Sequence, residues 1–375
     1  MKFSSSYVLA GYAAIVILGG CSSGSPSSAL GSTGLTAVNS GAHVLGQRAT
    51  HFTGVRAGIP HPDRHKSWRS PELKADNSGR LLFVTDAGAS DLYVFKLPSL
   101  TPMATVTGLS LPQGECSDNM GHVWVTNTDT SQIFEYDHTA TRMNTLNDPV
   151  GYPVGCAWDK TTGNLAVTNN PDFGSSPGQI LVYPGASGTP RTFTDPDLFY
   201  GYFAAYDGRG NLFVDGYDSS FTNFVLAKLP KNANAASTVT IGGGTIYDPG
   251  TVQWIYSGSG SYLMVGDQAC GDSISPEIAC MYAVTLSGLS GTITGTTYPD
   301  NSLGVAACDV VQAVRSGTKL YGSDIEFAAE SGYGCSSGSA ASTTNTWSFP
   351  ALGLPLRTSS SPTEDEPIGA AISSE

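Results

Sequence analysis

The sequence predicts an all-β fold: one β-propeller of six four-stranded antiparallel blades. Three observations predict it. A short apolar strand ending near an acid or amide recurs six times along the chain. These strands are apolar at consecutive positions, so both faces need cover. Charged residues are 13% of the chain, about half the usual share, while Gly numbers 45 and Pro 22, which suits many short strands and tight turns.

The recurrent strands are Leu82–Asp86, Val123–Asn127, Leu165–Asn169, Leu212–Asp215, Leu263–Asp267 and, in degenerate form, Leu320–Asp324. Their central residues, 84, 125, 167, 214, 265 and 322, stand 41, 42, 47, 51 and 57 apart. The first two intervals match one propeller blade, and the longer ones accommodate loop insertions. A β-sandwich strand would alternate apolar and polar residues, which Leu212-Phe213-Val214 does not.

The remaining strands of each blade follow. Asp118–Gly121, Asp159–Gly163 and Asp207–Gly210 read as hairpin turns, with Asp closing the turn and Gly taking positive φ. Leu92–Phe95, Ile133–Tyr136 and Ile180–Tyr183 read as third strands, Met103–Thr107 as a Thr-rich outer strand, and the segments from Pro112 and Pro153 as inner strands. Near the C-terminus, Trp347–Pro350 and Leu356–Thr358 read as a third and fourth strand. Glu366–Ala371 resembles Leu111–Cys116, so the chain end is expected to supply an inner strand that closes the ring. The segment Pro71–Lys74 competes for that place, which leaves seven blades, one of them partial, as the alternative.

Residues 1–21 read as a targeting segment. Lys2 precedes an apolar run from Tyr7 to Leu18, too short to span a bilayer comfortably. Leu18-Gly19-Gly20-Cys21 resembles the bacterial lipobox, which implies lipidation at Cys21. Residues 22–60 read as a Ser/Gly-rich tether and 61–375 as the propeller. The expected address is a bacterial membrane, facing the periplasm or cell surface through a lipid anchor; secretion is the alternative. Without Cys21, six Cys remain, an even number suited to an oxidising compartment. Cys270 with Cys280 is the first expected disulfide, followed by Cys116 with Cys156 across adjacent repeats and Cys308 with Cys335. The absence of a C-x-x-C pair argues against a zinc site or a thioredoxin-like centre, and no metal site is expected. A net charge of −13 argues against nucleic-acid partners.

The unit from Pro112-Gln113-Gly114-Glu115-Cys116 through Val123-Trp124-Val125-Thr126-Asn127 resembles NHL-type repeats and the gluconolactonase-like and streptogramin-lyase-like six-bladed propellers. Trp68-Arg69-Ser70-Pro71, Asn164–Asn169 and Asn211–Gly216 resemble a group of exported bacterial propellers over most of residues 60–373. The gluconolactonase resemblance implies a divalent metal at the channel mouth, held by Glu, Asn and Asp near the inner-strand glycines. The residues preceding those glycines here are Gln113, Val154, Tyr200 and Pro249, none a carboxylate, and Glu115 is displaced. The lyase resemblance implies a channel-mouth His; His122, in a hairpin turn, and His138, after a third strand, both read as solvated.

Asp86, Asn127, Asn169, Asp215, Asp267 and Asp324 form a candidate ring at one face of the channel. Either it makes a polar, cation-binding rim, or each member caps its own loop. Tyr200 and Tyr202, with Phe173, Phe199, Tyr217 and Phe221, are candidate stacking residues for a sugar or peptide, or lid packing over the channel. His61, Asp63 and His65 have metal-ligand spacing in an otherwise polar segment. Gly174–Gly178 and Gly334–Gly338 match G-x-S-x-G outside a strand-to-helix setting. The functional expectation is a monomeric binding or scaffold module for a protein, glycan or small ligand. It carries no cofactor, a divalent cation being the variant, and touches the membrane only through its lipid. The alternative is a diverged lactonase- or lyase-like enzyme.

Overall fold

Three consecutive apolar residues on one strand must find two apolar surfaces, and here each second strand lies between two neighbouring sheets. Leu82 and Val84 pack with Tyr321 on one side, and Phe83 packs with Val123 and Val125 on the other. The pattern repeats around the molecule. Trp124 meets Leu165 and Val167, Ala166 meets Leu212 and Val214, Phe213 meets Leu263 and Val265, and Met264 meets Leu320 and Trp347. The computed structural model describes residues 66–75, 79–170, 177–258, 260–270, 278–300, 304, 307–325, 342–359 and 364–374. Within them the chain is a β-propeller of six blades, each with four antiparallel strands.

Blade 2 comprises Pro112–Ser117, Val123–Asn127, Gln132–Tyr136 and Arg142–Asn147, counted from the axis outward. Blades 3 and 4 have inner strands Pro153–Trp158 and Tyr200–Tyr206 and second strands Leu165–Asn169 and Leu212–Tyr217. Blade 5 uses Pro249–Ser257 and Gly260–Cys270, and blade 6 uses Ala313–Ser316 and Lys319–Asp324. Blade 1 is composite. Its second to fourth strands are Arg80–Asp86, Asp91–Lys96 and Thr101–Thr107, and its inner strand is Ala371–Ser374 from the chain end. Ile372 pairs with Leu82 and Ala371 with Phe83, so the expected closure by the C-terminus is present. The competing segment does not form a strand: Pro71–Ala75 is one helical turn, its Leu73 amide bonded to Ser70 Oγ at 3.0 Å. Seven blades are thereby excluded. Trp68–Arg69 instead adds a fifth strand outside blade 1.

The inner strands approach one another to backbone contact. A Cβ at Gly155 would lie 2.1 Å from the Tyr202 carbonyl oxygen, and one at Gly369 would lie 2.4 Å from that of Gln113. Hydroxyls on the second strands clamp these contacts. Thr168 Oγ1 accepts from the Gly155 amide at 2.8 Å and donates to the Tyr202 carbonyl at 2.5 Å. Thr85 likewise accepts from Gly369 and donates to the Gln113 carbonyl, and Thr126 donates to the Val154 carbonyl at 2.9 Å. In blade 5 the clamp moves to the inner strand, where Thr251 accepts from and donates to Ala313 at 2.9 and 2.6 Å. Gln312 ends the circuit: its Oε1 accepts from the Glu115 and Ala370 amides, each at 3.0 Å.

Two expected disulfides are present, Cys116–Cys156 between the inner strands of blades 2 and 3 and Cys270–Cys280 within blade 5. Cys335 lies outside the described residues, and with it the third expected pair, as do residues 1–65 with the expected anchor and tether.

The close approach of the inner strands gives a direct test. Gly155→Ala or Gly369→Ala must push neighbouring backbone apart, and each is expected to cost about 2–4 kcal/mol. Gly258, where an added Cβ would meet nothing within 4 Å, supplies the control, and Gly258→Ala should leave the denaturant midpoint nearly unchanged. Equal midpoints for all three variants would refute a backbone-tight axis.

Candidate functional site

The inner-strand starts and second-strand ends form one face of the ring, and the register there fixes which residues share a level. Val125 pairs with Glu115, Val167 with Cys156, Val214 with Ala204, Val265 with Val252 and Gly322 with Ala313. Two residues before each partner stand Gln113, Val154, Tyr202, Gly250 and Val311, and Ile368 takes the same level in blade 1. This corrects the alignment by glycine. Gly201 and Gly250 are not counterparts of Gly114, so Tyr202 and Gly250, rather than Tyr200 and Pro249, share the level of Gln113. Val154, Tyr202, Val311 and Ile368 pack in one apolar cluster with Leu111 and Ala87, which fills the entrance to the axis.

The candidate ring of acids and amides divides in two. Asp86 accepts from the amides of Ala89, Asp365 and Glu366 at 2.7–2.9 Å. Asp267 accepts from Tyr247, Asp248 and Ala269 at 2.9–3.1 Å, and Asp324 from Cys308 and Asp309 at 2.9 and 3.1 Å. Asn127 accepts from Ser110, and Asn169 donates to Asp148 at 2.6 Å. All five hold the loop that leads into their own blade's inner strand, as Asx turns do. Asp215 stands one position earlier, level with Thr85, Thr126 and Thr168. It accepts from the Phe203 amide at 2.6 Å, as Thr168 does from Gly155.

Blade 4 therefore lacks the loop-holding Asx, and its place is taken by Gly216. A Cβ there would meet the Tyr200 carbonyl oxygen at 1.8 Å, so only glycine fits. The ladder instead runs on: Gly201 pairs with Gly216 and Tyr200 with Tyr217. That extension delivers aromatic rings to the mouth. Tyr200 lies between Phe199 and Phe221, with centroids 4.9 and 3.5 Å away, and Tyr217 lies 5.8 Å from Phe221. Phe199 and Phe221 are half-buried, and Tyr200 is buried. Beneath them Tyr202 meets Tyr217 edge to face at 5.9 Å, and Tyr217 donates to Asp248 Oδ1 at 2.5 Å. Burial raises the pKa of both tyrosines, so both are neutral donors at physiological pH. The Tyr202 hydroxyl is buried, and the Asn170 side chain beside it only partly offsets the effect of burial.

Other expected residues lie elsewhere. Glu115 sits between blades 1 and 2 against Gly369, fully buried. Burial raises its pKa well above the ordinary carboxylate value, and the nearby Thr85 and Ala371 amides and Thr85 hydroxyl only partly offset this. His138 is not solvated: it is buried, with Nδ1 2.8 Å from Ser373 Oγ, because the closing strand covers it. His122 is half-buried beside Glu135. His61, Asp63, His65, Phe173 and the serines of both G-x-S-x-G matches lie outside the described residues. One further buried acid belongs to no motif of the sequence. Glu364 accepts from Thr344 and Ser359 at 2.9 and 2.7 Å, and burial, reinforced by the Asp86 charge, lifts its pKa to about 8. Asp86 is lifted to about 6 by its own burial, against the pull of three amides.

Both carboxyls bind protons more tightly when folded than unfolded. Their contribution to stability is complete below about pH 4 and is lost as pH rises through about 6 and about 8. Thermal melts of Glu364→Gln against the parent from pH 5 to 9 should show a flatter decline between about pH 5 and 8, the parent losing up to about 1.4 kcal/mol per unit from this group there. Parallel profiles would show that Glu364 ionises freely in the fold.

No protein-family model matches the chain, and no curated protein matches it in sequence. Among solved structures, a protein of unknown function from Bacteroides caccae is similar to it, with 12% identity and a TM-score of 0.56, over 80% of this chain and 100% of that one. The hydrazine synthase of Kuenenia stuttgartiensis is similar at 10% identity and a TM-score of 0.47, over 65% of this chain and 70% of that one. The first likeness concerns the fold, a β-propeller shared across a distance at which sequence no longer speaks.

Proposed function

We propose that the chain is an exported, lipid-anchored propeller of NHL-like ancestry that binds a ligand at the blade 4 side of the ring mouth. The observation that carries this reading is the aromatic group Phe199, Tyr200, Phe221 and Tyr217, set over the Tyr202 hydroxyl and Asp248. Flat rings with one partly exposed face beside buried polar groups suit a ligand with an apolar face and hydroxyl or amide edges, such as a glycan or peptide. The ring carboxylates Asp86, Asp267 and Asp324 are engaged by loop amides, which favours a role in shaping the mouth. Export is supported by the two disulfides, which persist in oxidising compartments. No helix among the described residues is long and apolar enough to cross a membrane, so the lipobox-like Cys21 is the proposed attachment.

Two experiments test these readings. Glycan and peptide arrays probed with the full chain should yield a ligand whose binding falls between about 2- and 10-fold in Phe199→Ala and Phe221→Ala. A ligand bound equally by the double variant would place the site elsewhere, and no ligand at all would count against a binding module. Cys21→Ser expressed in a bacterial host should move the protein from the membrane to the soluble fraction; retention at the membrane would exclude lipid anchoring through Cys21.

A further inference from the structure

On the opposite face of the ring, the hairpins between inner and second strands of blades 2, 3 and 4 each hold an Asp at the same place, and that of blade 2 departs from the other two. In blade 3, Thr162 Oγ1 donates to Asp159 Oδ2 at 2.6 Å, and in blade 4, Asn211 Nδ2 donates to Asp207 Oδ2 at 2.7 Å. The other oxygen of each Asp accepts turn amides. In blade 2, Asp118 Oδ1 accepts from the Met120 and His122 amides at 2.8 and 2.9 Å. Its Oδ2 has no hydrogen-bond donor, although the side chain is only 1% exposed. The residue in the place of Asn211 is His122, whose Nδ1 lies 3.5 Å from Asp118 Oδ2 and 2.7 Å from Glu135 Oε1. Glu135 pairs with Trp124, and His122 precedes Trp124 by two, so the ladder puts both on one face. In blade 4, Lys228 occupies the position of Glu135, opposite Phe213, so the third group is not a property of the repeat.

We propose that Asp118, His122 and Glu135 bind one first-row divalent cation of the zinc type. The three donor atoms lie within 4.8 Å of one another. An ion holding N and O ligands at about 2.0–2.2 Å in a tetrahedron sets them about 3.3 Å apart, and the observed 2.7 and 3.5 Å bracket that spacing. Two carboxylates balance the charge of the ion, and the imidazole favours zinc over calcium or magnesium. Side-chain exposures of 24% for His122 and 12% for Glu135 leave a side open for entry and for water as the remaining ligand. The site adjoins the ring closure: the Gly121 carbonyl accepts from Ser373 Oγ of the terminal strand. A bound ion fixes this hairpin and stabilises the folded state by mass action.

The test uses the full chain in detergent, stripped with a chelator and titrated by calorimetry with Zn²⁺, Co²⁺, Mg²⁺ and Ca²⁺. One Zn²⁺ per chain, competed by Co²⁺ with a tetrahedral visible spectrum and accompanied by a higher Tm, is expected. His122→Asn rebuilds the hairpin of blade 4 and so keeps the fold, but it should weaken Zn²⁺ binding at least about tenfold and abolish the rise in Tm, as should Glu135→Gln. Failure to bind Zn²⁺, or binding equal to the parent in both variants, would overturn the proposal.

Discussion

The structure depends on the near-contact of adjacent inner strands around the axis. At that distance no side chain fits between them, yet their amides and carbonyls still need partners away from water. A hydroxyl from the second strand meets both demands, because it accepts from one inner strand while donating to the next. Thr85 and Thr168 do both, Thr126 donates to the Gly114 and Val154 carbonyls, and the inner strands opposite all three carry glycine at the point of contact. Asp215 takes the same place in blade 4. Burial pushes its carboxyl well above the ordinary range, and it accepts from the Phe203 amide as Thr168 does from Gly155.

Closure follows from the same constraint. Blades 5 and 6 carry Gly266 and Ser323 at the threonine level, and their clamps come from the inner strands, as Thr251 and Gln312. The amide of Gln312 alone links blades 6, 1 and 2, which are the blades that meet where the two ends of the propeller join. The same region collects buried acids: Asp86, Glu115 and Glu364 all have raised pKa values, chiefly through burial. Raised carboxyl pKa values persist there because the groups that bond these acids are hydroxyls and amides.

The sequence discloses what repetition and periodicity encode. Consecutive apolar residues reveal the double-covered strands, and the likeness of Glu366–Ala371 to Leu111–Cys116 reveals the closing strand. Glycine, however, misleads the alignment of the inner strands. It recurs for two different reasons, close approach at Gly114, Gly155 and Gly369, and ladder extension at Gly201 and Gly216. The residue after Val214 likewise reads as a loop-holding acid, since an Asp on the inner rim and an Asp on the outer rim look the same one residue apart. His122 and Glu135 are legible only in part. Their spacing of thirteen means nothing until the register sets them on one face, and what marks them is the departure from Asn211 and Lys228 in blade 4.

These departures also say where function can reside. A residue needed in every blade for loop holding or strand clamping is not free to serve a ligand, so specificity must arise where one blade breaks the pattern. Blade 4 breaks it at the mouth. Once Gly216 replaces the Asx, the loop into the inner strand is no longer held from the second strand by a side chain, and the backbone pairing extends to Tyr200 and Tyr217. The added pair costs little, because the Phe199 amide finds the Tyr217 carbonyl at 2.8 Å. The gain is an aromatic group anchored on a ladder: Tyr200 and Tyr217 stand on paired strands, and Phe199 and Phe221 pack on them from the adjoining loops. The mouth is thus asymmetric for a structural reason, with aromatic rings on the one blade whose second strand gave up its acid.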